Sequence, residues 1–496
     1  MKYILVLFLT LGLAGCSDFL EESSQDEVRP TTVDDLMQVM VGEAYPMDNI
    51  IDSYLDFLTD DMKCNGAQGD EQKSVIEQLY YIFSWNDDMY EKFESSNINS
   101  WQVYYSKIMG CNTVLGYLNR VTGEQNVKDN LKGQALVLRG WYYFLLVNLY
   151  GLPYNYGDPE ENLGVPLKLE MEVTDAFYKR NTVAEVYAQI EKDLLEGIKL
   201  LDENNISMSL YKISPLAGKA MLSRVYLYME NWDKALEYAN LVLDEKPALT
   251  ALASADADAF QYQGSSSFGL YNWNVSDEVI WIYSGKREFS LYGGGGGTYP
   301  SVFSVSDDLM DLYNTSTDPN NHLDLRPYMC FYNSAYFSAS FLPVLYPQYG
   351  YKGGKNQVYG TKGIRTVELY LNRAEVYIRK YMASGDDNYR KLALVDLNNI
   401  RKHRYDTRNV DYVDEDIQDA DKLFQFYKEE RRRELCFEDH RWFDLRRYGM
   451  PSLSHVYFVN SGNEQVITLN EGDLRYVLLI PKSALERNPR LIQNKR

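Results

Sequence analysis

The sequence of 496 residues predicts a mainly α-helical fold, with tetratricopeptide-like helix pairs as its scaffold and one loop-rich, partly β segment between them. Three observations lead to this fold class. Apolar residues recur at helical spacing on both sides of residues 251–366, small residues occur at the offsets of a tetratricopeptide repeat, and helical periodicity mostly fails within 251–366. The content of 45% hydrophobic and 24% charged residues allows a sizeable core and argues against disorder.

The beginning of the chain has the features of a bacterial lipoprotein signal. Lys2 precedes an apolar run at 4–13 that is too short to span a bilayer. Small residues then lead to Cys16, whose thiol would take a diacylglycerol and, with further acyl chains such as palmitate, hold the protein at a membrane. We expect residues 1–15 to be a signal peptide and residues 16–30 to be a lipidated acidic tether; an ordinary secretory signal with an incidental cysteine is the alternative.

The composition restricts the partners of the protein. The net charge of −21, from 71 acidic against 50 basic residues, argues against nucleic-acid phosphates and anionic lipid headgroups as main partners. The chain contains 43 tyrosines, and a tyrosine offers a flat apolar ring with a polar hydroxyl. The composition therefore favours a neutral, partly polar ligand.

Residues 131–150 form the clearest helical stretch. Gly151 and Pro153 follow it and end the predicted helix. The apolar side chains recur three or four residues apart, which places them in one stripe: Leu131, Ala135, Leu138, Tyr142, Leu145 and Leu149.

Residues 215–244 predict a pair of helices with a turn at Trp232. Further helix pairs are indicated at 135–150 with 183–201 and at 367–380 with 392–404. Long, irregular insertions between the pairs predict a curved scaffold rather than a regular solenoid. The repeat offsets of the 215–244 pair are occupied by Ser223, Tyr226, Ala235, Ala239 and Pro247.

Residues 251–366 differ from the helical parts. The β-branched and aromatic run at 278–283 predicts a strand, and 293–297 are five consecutive glycines with great conformational freedom. A long loop-rich segment inside a helical protein is more often functional than accidental. We therefore expect this segment to bind a ligand.

The most specific motif lies near the end of the chain. Residues 429–449, EERRRELCFEDHRWFDLRRYG, strongly resemble the C-terminal signature of the SusD/RagB family, the outer-membrane nutrient-binding lipoproteins of Bacteroidetes. Residues 369–377 resemble the last repeat helix of that family and 476–494 its closing segment. The segment CSDFL at 16–20 is similar to the family's lipidated opening.

The resemblance implies four tetratricopeptide-like helix pairs and three regions: a helical region at 31–250, a ligand-binding insertion at 251–366 and a C-terminal region at 367–496. It also implies a lipid-anchored protein exposed on the outer membrane, which captures an oligosaccharide and docks over a SusC-like, TonB-dependent transporter. The ligand itself does not transfer, because members of the family bind different glycans and some bind peptides.

The charges of the 429–449 signature alternate in sign at helical spacings. Such a block could bind phosphate or supply paired catalytic carboxylates. Because arginine forks suit fixed ion pairs, we interpret it instead as a salt-bridge network that locks helices together, with Trp442 and Phe443 in the core.

Two segments combine flat aromatic rings with the hydrogen-bonding groups that a saccharide site needs. In the first, Trp85 stands in a polar loop, whereas Trp101 lies on an apolar helical stripe and is expected in the core. In the second, Trp273 lies between two asparagines and is the better candidate, whereas Trp281 lies in the strand-like run, where a packed core residue is the favoured interpretation. The candidate ligand-binding residues are Trp85, Asn86, Asp87, Asn272, Trp273, Trp281, Tyr292 and Tyr299.

Other functions are not supported by a motif. We expect no catalytic residue and no cofactor. We also expect no metal ion, because Cys436 and His440 form a single helix-spaced pair and no second pair of metal ligands accompanies it. The four cysteines other than Cys16 are expected to be small buried groups, although a disulfide is permitted outside the cytoplasm: Cys64, Cys111, Cys330 and Cys436. A peptide-binding member of the same family is the main alternative; a surface glycoside hydrolase, which needs two carboxylates at a fixed separation, and a cytosolic repeat scaffold are less favoured.

Overall fold

The structure is a computed structural model, and it describes residues 29–46, 53–67, 69–92, 99–204, 206, 209–255, 269–284, 301–315, 323–337, 343–352 and 360–496. The expected signal peptide, Cys16 and nearly all of the expected tether lie outside the described residues, as do the five glycines, Tyr292 and Tyr299.

Helices dominate the described part of the chain, and short 3-10 and π turns at 40–44, 53–58 and 474–476 accompany them. In chain order the α-helices are α1 (Val33–Val39), α2 (Asp70–Phe83), α3 (Met89–Lys92), α4 (Ser100–Tyr117), α5 (Gln125–Tyr150), α6 (Val183–Glu203), α7 (Pro215–Tyr228), α8 (Trp232–Glu245), α9 (Leu252–Ala255), α10 (Asp307–Met310), α11 (Arg326–Met329), α12 (Thr366–Ser384), α13 (Asp387–Arg404), α14 (Ala420–Leu435), α15 (Arg441–Arg447) and α16 (Lys482–Arg487).

The described strands form antiparallel two-stranded ribbons: β1 with β3, β2 with β6, β4 with β5, and β7 with β8. Most of them lie between residues 251 and 366, so the expectation of a partly β segment there is confirmed. The strands are β1 (Met62–Cys64), β2 (Val279–Ser284), β3 (Phe303–Val305), β4 (Phe331–Phe337), β5 (Pro343–Lys352), β6 (Lys362–Arg365), β7 (Leu453–Tyr457) and β8 (Gln465–Leu469).

Helix α5 is the centre of the helical scaffold. Every residue from Leu131 to Tyr150 except Lys132 is buried, because α4 packs on one side of the helix and α6 on the other. The single apolar stripe predicted for this helix is therefore too narrow. The predicted end is correct, since the backbone N–H of Gly151 donates to the carbonyl of Val147 and closes the last turn.

The predicted helix pairs are present. Helix α5 packs on α6, α7 on α8, and α12 on α13. Between α7 and α8 the Ser223 hydroxyl donates to the Ala235 carbonyl (3.1 Å), and the fully buried Ala235 and Ala239 allow the close approach. The turn that the sequence places at Trp232 lies at 229–231, and Trp232 is the first residue of α8. None of the described helices combines the length and the apolarity needed to cross a membrane.

Candidate functional site

The turn that precedes β2 presents a tryptophan to solvent. Its backbone closes on itself, because the N–H groups of Val275 and Ser276 both donate to the carbonyl of Asn272 (3.0 and 2.8 Å). Asn272 is buried and its side-chain oxygen accepts from the N–H of Asn274 (3.1 Å). Between them Trp273 is 40% exposed, which is unusual for so large an apolar ring.

The two residues that flank this turn are anchored inside the protein. Tyr271, on the near side, is fully buried and its hydroxyl donates to a carboxylate oxygen of Glu438. On the far side the N–H of Asp277 donates to the Thr250 hydroxyl, and the N–H of Thr250 donates to Glu278 (both 2.9 Å). Trp273 therefore lies on a turn whose two ends are held by hydrogen bonds to the core.

Tyr211 supplies a second ring at this surface. Its ring meets that of Trp273 edge to face, with centroids 5.6 Å apart and an interplanar angle of 80°. The segment that carries Tyr211 is joined to β2, because the N–H of Ile282 donates to the carbonyl of Leu210 (2.8 Å). The exposed Trp273, the Tyr211 ring and the exposed Asn274 thus share one edge of the fold, which we call the Trp273 edge.

A buried ion network lies under the Trp273 edge. Arg365 on β6 contacts Glu278, Glu434 and Glu438 at 2.7–3.0 Å, and Arg404 at the end of α13 contacts Glu278 and Glu434. Burial alone would raise the pKa of Glu438, but Arg365 and Lys352 outweigh it and hold that pKa at about 2. The pKa of Glu434 is also lowered, and Glu438 accepts from the Tyr271 hydroxyl, so the paired carboxylates help to fix the turn that carries Trp273.

The charges of the 429–449 signature behave as the sequence predicts. Arg431 is paired with Asp444 and Arg447 with Glu375 and Asp444, and all four side chains are buried. Trp442 and Phe443 belong to the core, as expected. The salt-bridge interpretation is confirmed.

Trp85 does not form the stacking surface expected of it. The ring is only 4% exposed, its indole N–H donates to the Leu58 carbonyl (2.9 Å), and it stacks on the buried His455 ring at 4.2 Å. Asp87 is exposed and pairs with Arg496, while Asn86 accepts from the N–H of Asp88. The expectation of an exposed ring at Trp85 is wrong, because the hydrogen bond to Leu58 and the stacking on His455 hold the ring in the core.

Trp281 is also removed from the candidate site. It is fully buried on β2 and meets Trp141 edge to face at 6.1 Å, so the alternative of a packed core residue is the correct one. Trp101, 8% exposed, lies in the core as expected. Among the described residues of the candidate set, Trp273 is therefore the one exposed at the Trp273 edge, and Tyr211 is an addition that the sequence did not single out. The expectation that Asn272 contacts a ligand is wrong, because its side chain is buried and accepts from the N–H of Asn274.

A shallow depression on α2 and the β7–β8 ribbon was also missed. Tyr80, Tyr81 and Tyr457 line this space of about 560 Å³ together with Gln78 and Gln465. The signal available in the sequence was the adjacent pair of tyrosines at the end of an amphipathic helix.

The cysteines and histidines do not form a reactive cluster in the described residues. Cys64, Cys111, Cys330 and Cys436 are buried free thiols, which confirms their expected role as small buried groups. Within the described ranges no three His, Cys, Asp or Glu side chains are arranged to hold a metal ion.

Comparison with known proteins identifies the family. A SusD-like family model, described as starch-binding and associating with the outer membrane, matches residues 18–227, and the SusD family model matches residues 305–496. The chain belongs to the SusD/RagB family. A SusD-like protein P2 of Formosa agariphila is 25% identical to it over 540 aligned residues, and the alignment covers 99% of both chains.

Solved SusD-like structures share its fold. A SusD superfamily protein from Bacteroides thetaiotaomicron has a TM-score of 0.66 at 21% identity and covers 94% of this chain and 100% of its own. A putative sugar binding protein from Bacteroides vulgatus has a TM-score of 0.67 at 23% identity, over 94% and 99% of the two chains. A SusD-like carbohydrate binding protein from the same species has a TM-score of 0.63 at 21% identity, over 93% and 97%. The mainly α-helical fold class is thereby confirmed.

Proposed function

We propose that the protein is a lipid-anchored, surface-exposed glycan-binding protein of the outer membrane, and that it passes its oligosaccharide to a SusC-like, TonB-dependent transporter. The observation that carries the proposal is the Trp273 edge. A sugar ring has a face of C–H bonds and a rim of hydroxyls, so it stacks on an exposed indole while amides bind the rim.

The anchoring of this edge supports a binding role. Since the turn is fixed at both ends, Trp273 and Tyr211 lose little conformational freedom when a ligand arrives, and more of the stacking energy remains as affinity. We propose Trp273 as a ligand contact, with Tyr292 and Tyr299 as further contacts from the same insertion; the buried Asn272 holds the turn instead. Asn86 and Asp87 are proposed only as polar contacts, without the ring of Trp85.

The descriptions of related proteins favour a saccharide. One matching family model is described as starch-binding, and two of the similar structures are described as sugar or carbohydrate binding proteins. A peptide ligand remains the alternative, and competition experiments distinguish the two.

The proposed site predicts the effect of one substitution. Replacing Trp273 with alanine should weaken glycan binding by about 1–3 kcal/mol, because a stacking ring at a binding hot spot is lost. Isothermal titration of the chain lacking residues 1–16 with a panel of oligosaccharides measures this. Tyr156→Ala is the matched control, because that ring is also 40% exposed and lies in another loop. Equal affinities of wild type and Trp273→Ala would place the site elsewhere.

The partner and the anchor can be tested together. Affinity purification of the tagged full chain from outer membranes should recover a large β-barrel protein, whereas Cys16→Ala should no longer sediment with the membranes. Recovery of no barrel would contradict the proposed delivery step. Displacement of the bound glycan by peptides would favour the peptide alternative, and new reducing ends in the glycan panel would indicate a hydrolase.

A further inference from the structure

A separate groove lies between α4, the segment 166–178 and the C-terminal residues 481–491. Its volume is about 580 Å³, within the range of roughly 300–1,000 Å³ that is typical of small-ligand sites. We call it the C-terminal groove. Trp273 and Tyr211 are not among its lining residues.

Aromatic rings form the inner wall of the C-terminal groove. The rings of Trp101 and Tyr105 are 5.0 Å apart, and the half-buried Tyr105 is fixed because its hydroxyl donates to the Pro166 carbonyl (2.7 Å). Opposite them, the Tyr178 hydroxyl accepts from Lys168 (3.0 Å), and Asn488 donates to the Tyr178 carbonyl (2.8 Å). These hydrogen bonds hold the aromatic wall in place without a ligand, so the groove is preformed.

The charges at the groove are unusual for this protein. Although the chain carries 71 acidic residues, no carboxylate is among the described residues that line the groove, whereas Lys168 and Arg487 are. The Lys168 ammonium already donates to Tyr178 and to the Glu172 carbonyl and lies 3.7 Å from Glu170. Arg487 is exposed, and the described structure gives it no ion pair, so its guanidinium can receive an anionic group.

We propose that the C-terminal groove is a second saccharide site and that it takes an oligosaccharide bearing carboxylate or sulfate groups. The sugar ring packs on Tyr105 and Tyr178, and its acidic group accepts charge-assisted hydrogen bonds from Arg487. A guanidinium suits both anions, because its fork matches their paired oxygens. The inference rests on the proposed glycan-binding function but uses none of the residues of the Trp273 edge.

The test uses the full chain in detergent micelles and three probes: tetragalacturonate, a heparin hexasaccharide and the neutral maltohexaose. Ser106→Leu fills the groove from an exposed position of α4, and Thr113→Leu is its control on the same helix outside the groove. Arg487→Gln removes the proposed charge contact. Arg490→Gln is its control, because Arg490 is an exposed neighbour that does not line the groove.

We expect titration calorimetry to show binding of at least one acidic probe, weakened about tenfold or more by Ser106→Leu and by Arg487→Gln. Both controls and Trp273→Ala should keep the wild-type affinity for that probe. Loss of acidic-probe binding in Trp273→Ala, with Ser106→Leu unchanged, would overturn the groove and leave the proposed function intact. Binding of maltohexaose alone would also overturn the groove and leave the proposed function intact. Binding of no probe, together with no binding in the wider glycan panel, would count against both the groove and the proposed function.

Discussion

Gly363 shows how one residue controls the packing beneath the Trp273 edge. It pairs with Ile282 across the β2–β6 ribbon, beside a register shift. A Cβ atom built on Gly363 would lie 2.1 Å from the carbonyl oxygen of Trp281 and 2.6 Å from the ring of Tyr271. Backbone cannot yield as a flexible side-chain end can, so a larger residue must push the strands apart.

Gly363→Ala should therefore lower the free energy of unfolding by about 1–3 kcal/mol, the usual cost of overpacking a dense interior. It should also weaken glycan binding, because Tyr271 adjoins the turn that presents Trp273. Urea unfolding and calorimetry measure the two effects. Gly42→Ala is the control, since a Cβ there meets nothing within 4 Å. Unchanged stability of Gly363→Ala would show that the ribbon can open without cost.

The two candidate tryptophans show what the sequence can and cannot predict about a side chain. Trp85 and Trp273 both stand in short polar stretches next to asparagine; the second asparagine makes Trp273 the better candidate, but neither stretch shows which ring is covered. Their exposure depends on distant residues: His455 stacks on Trp85, whereas the contact with Tyr211 leaves Trp273 40% exposed. Exposure of a loop ring is thus a tertiary property.

At the scale of elements, local signals set the ends of the helices. Ser214 and Pro215 begin α7, Gly151 ends α5, and Thr182 with Glu185 forms a capping box on α6. Each of these signals acts within a few residues, so a sequence displays it directly. The all-round burial of α5 did not follow, because it depends on two neighbouring helices.

The strand pairing and the ion network were less predictable, because both depend on contacts between segments that are distant in the sequence. The run at 278–283 indicated β2, but its partner β6 lies about 80 residues further along the chain, and only the fold brings them together. Likewise the signature at 429–449 predicted ion pairs, but it did not show that Arg365 and Arg404 pair with Glu434 and that both also pair with Glu278. Local spacing identifies the charges but not the contacts between distant segments.

At the scale of the whole molecule, the buried ion pairs make stability depend on pH. Burial opposes ionisation of Glu375, but Arg447 outweighs it and holds that pKa at about 2, as Arg365 and Lys352 do for Glu438. Burial also lowers the pKa of His440 well below 6.5, and Arg224 and Arg431 add to this effect. Asp193 and Asp396 differ, because burial raises their pKa despite their arginine partners.

These shifts predict a loss of stability in two steps as the pH falls. Below the ordinary histidine pKa of 6.5, His440 takes a proton in the unfolded chain but not in the folded one, so unfolding becomes easier. Between the ordinary glutamate pKa of 4.5 and about 2, Glu375 and Glu438 take a proton in the unfolded chain but stay ionised in the folded one, so stability falls further. Asp193 and Asp396, whose pKa values are raised, take a proton more readily in the folded chain, so their protonation stabilises the fold and offsets part of the second step.

Differential scanning calorimetry between pH 8 and pH 3 tests this dependence, and we expect the unfolding temperature to begin falling near the histidine range and to fall further below pH 4.5. Glu375→Gln should unfold at a lower temperature at neutral pH, because Arg447 loses an ionic partner, yet it should lose less stability below pH 4.5, because one titrating group is gone. Glu172→Gln, at an exposed position, should retain the wild-type profile. An unfolding temperature that stays level between pH 7 and pH 3 would show that the buried pairs do not control the acid stability of the fold.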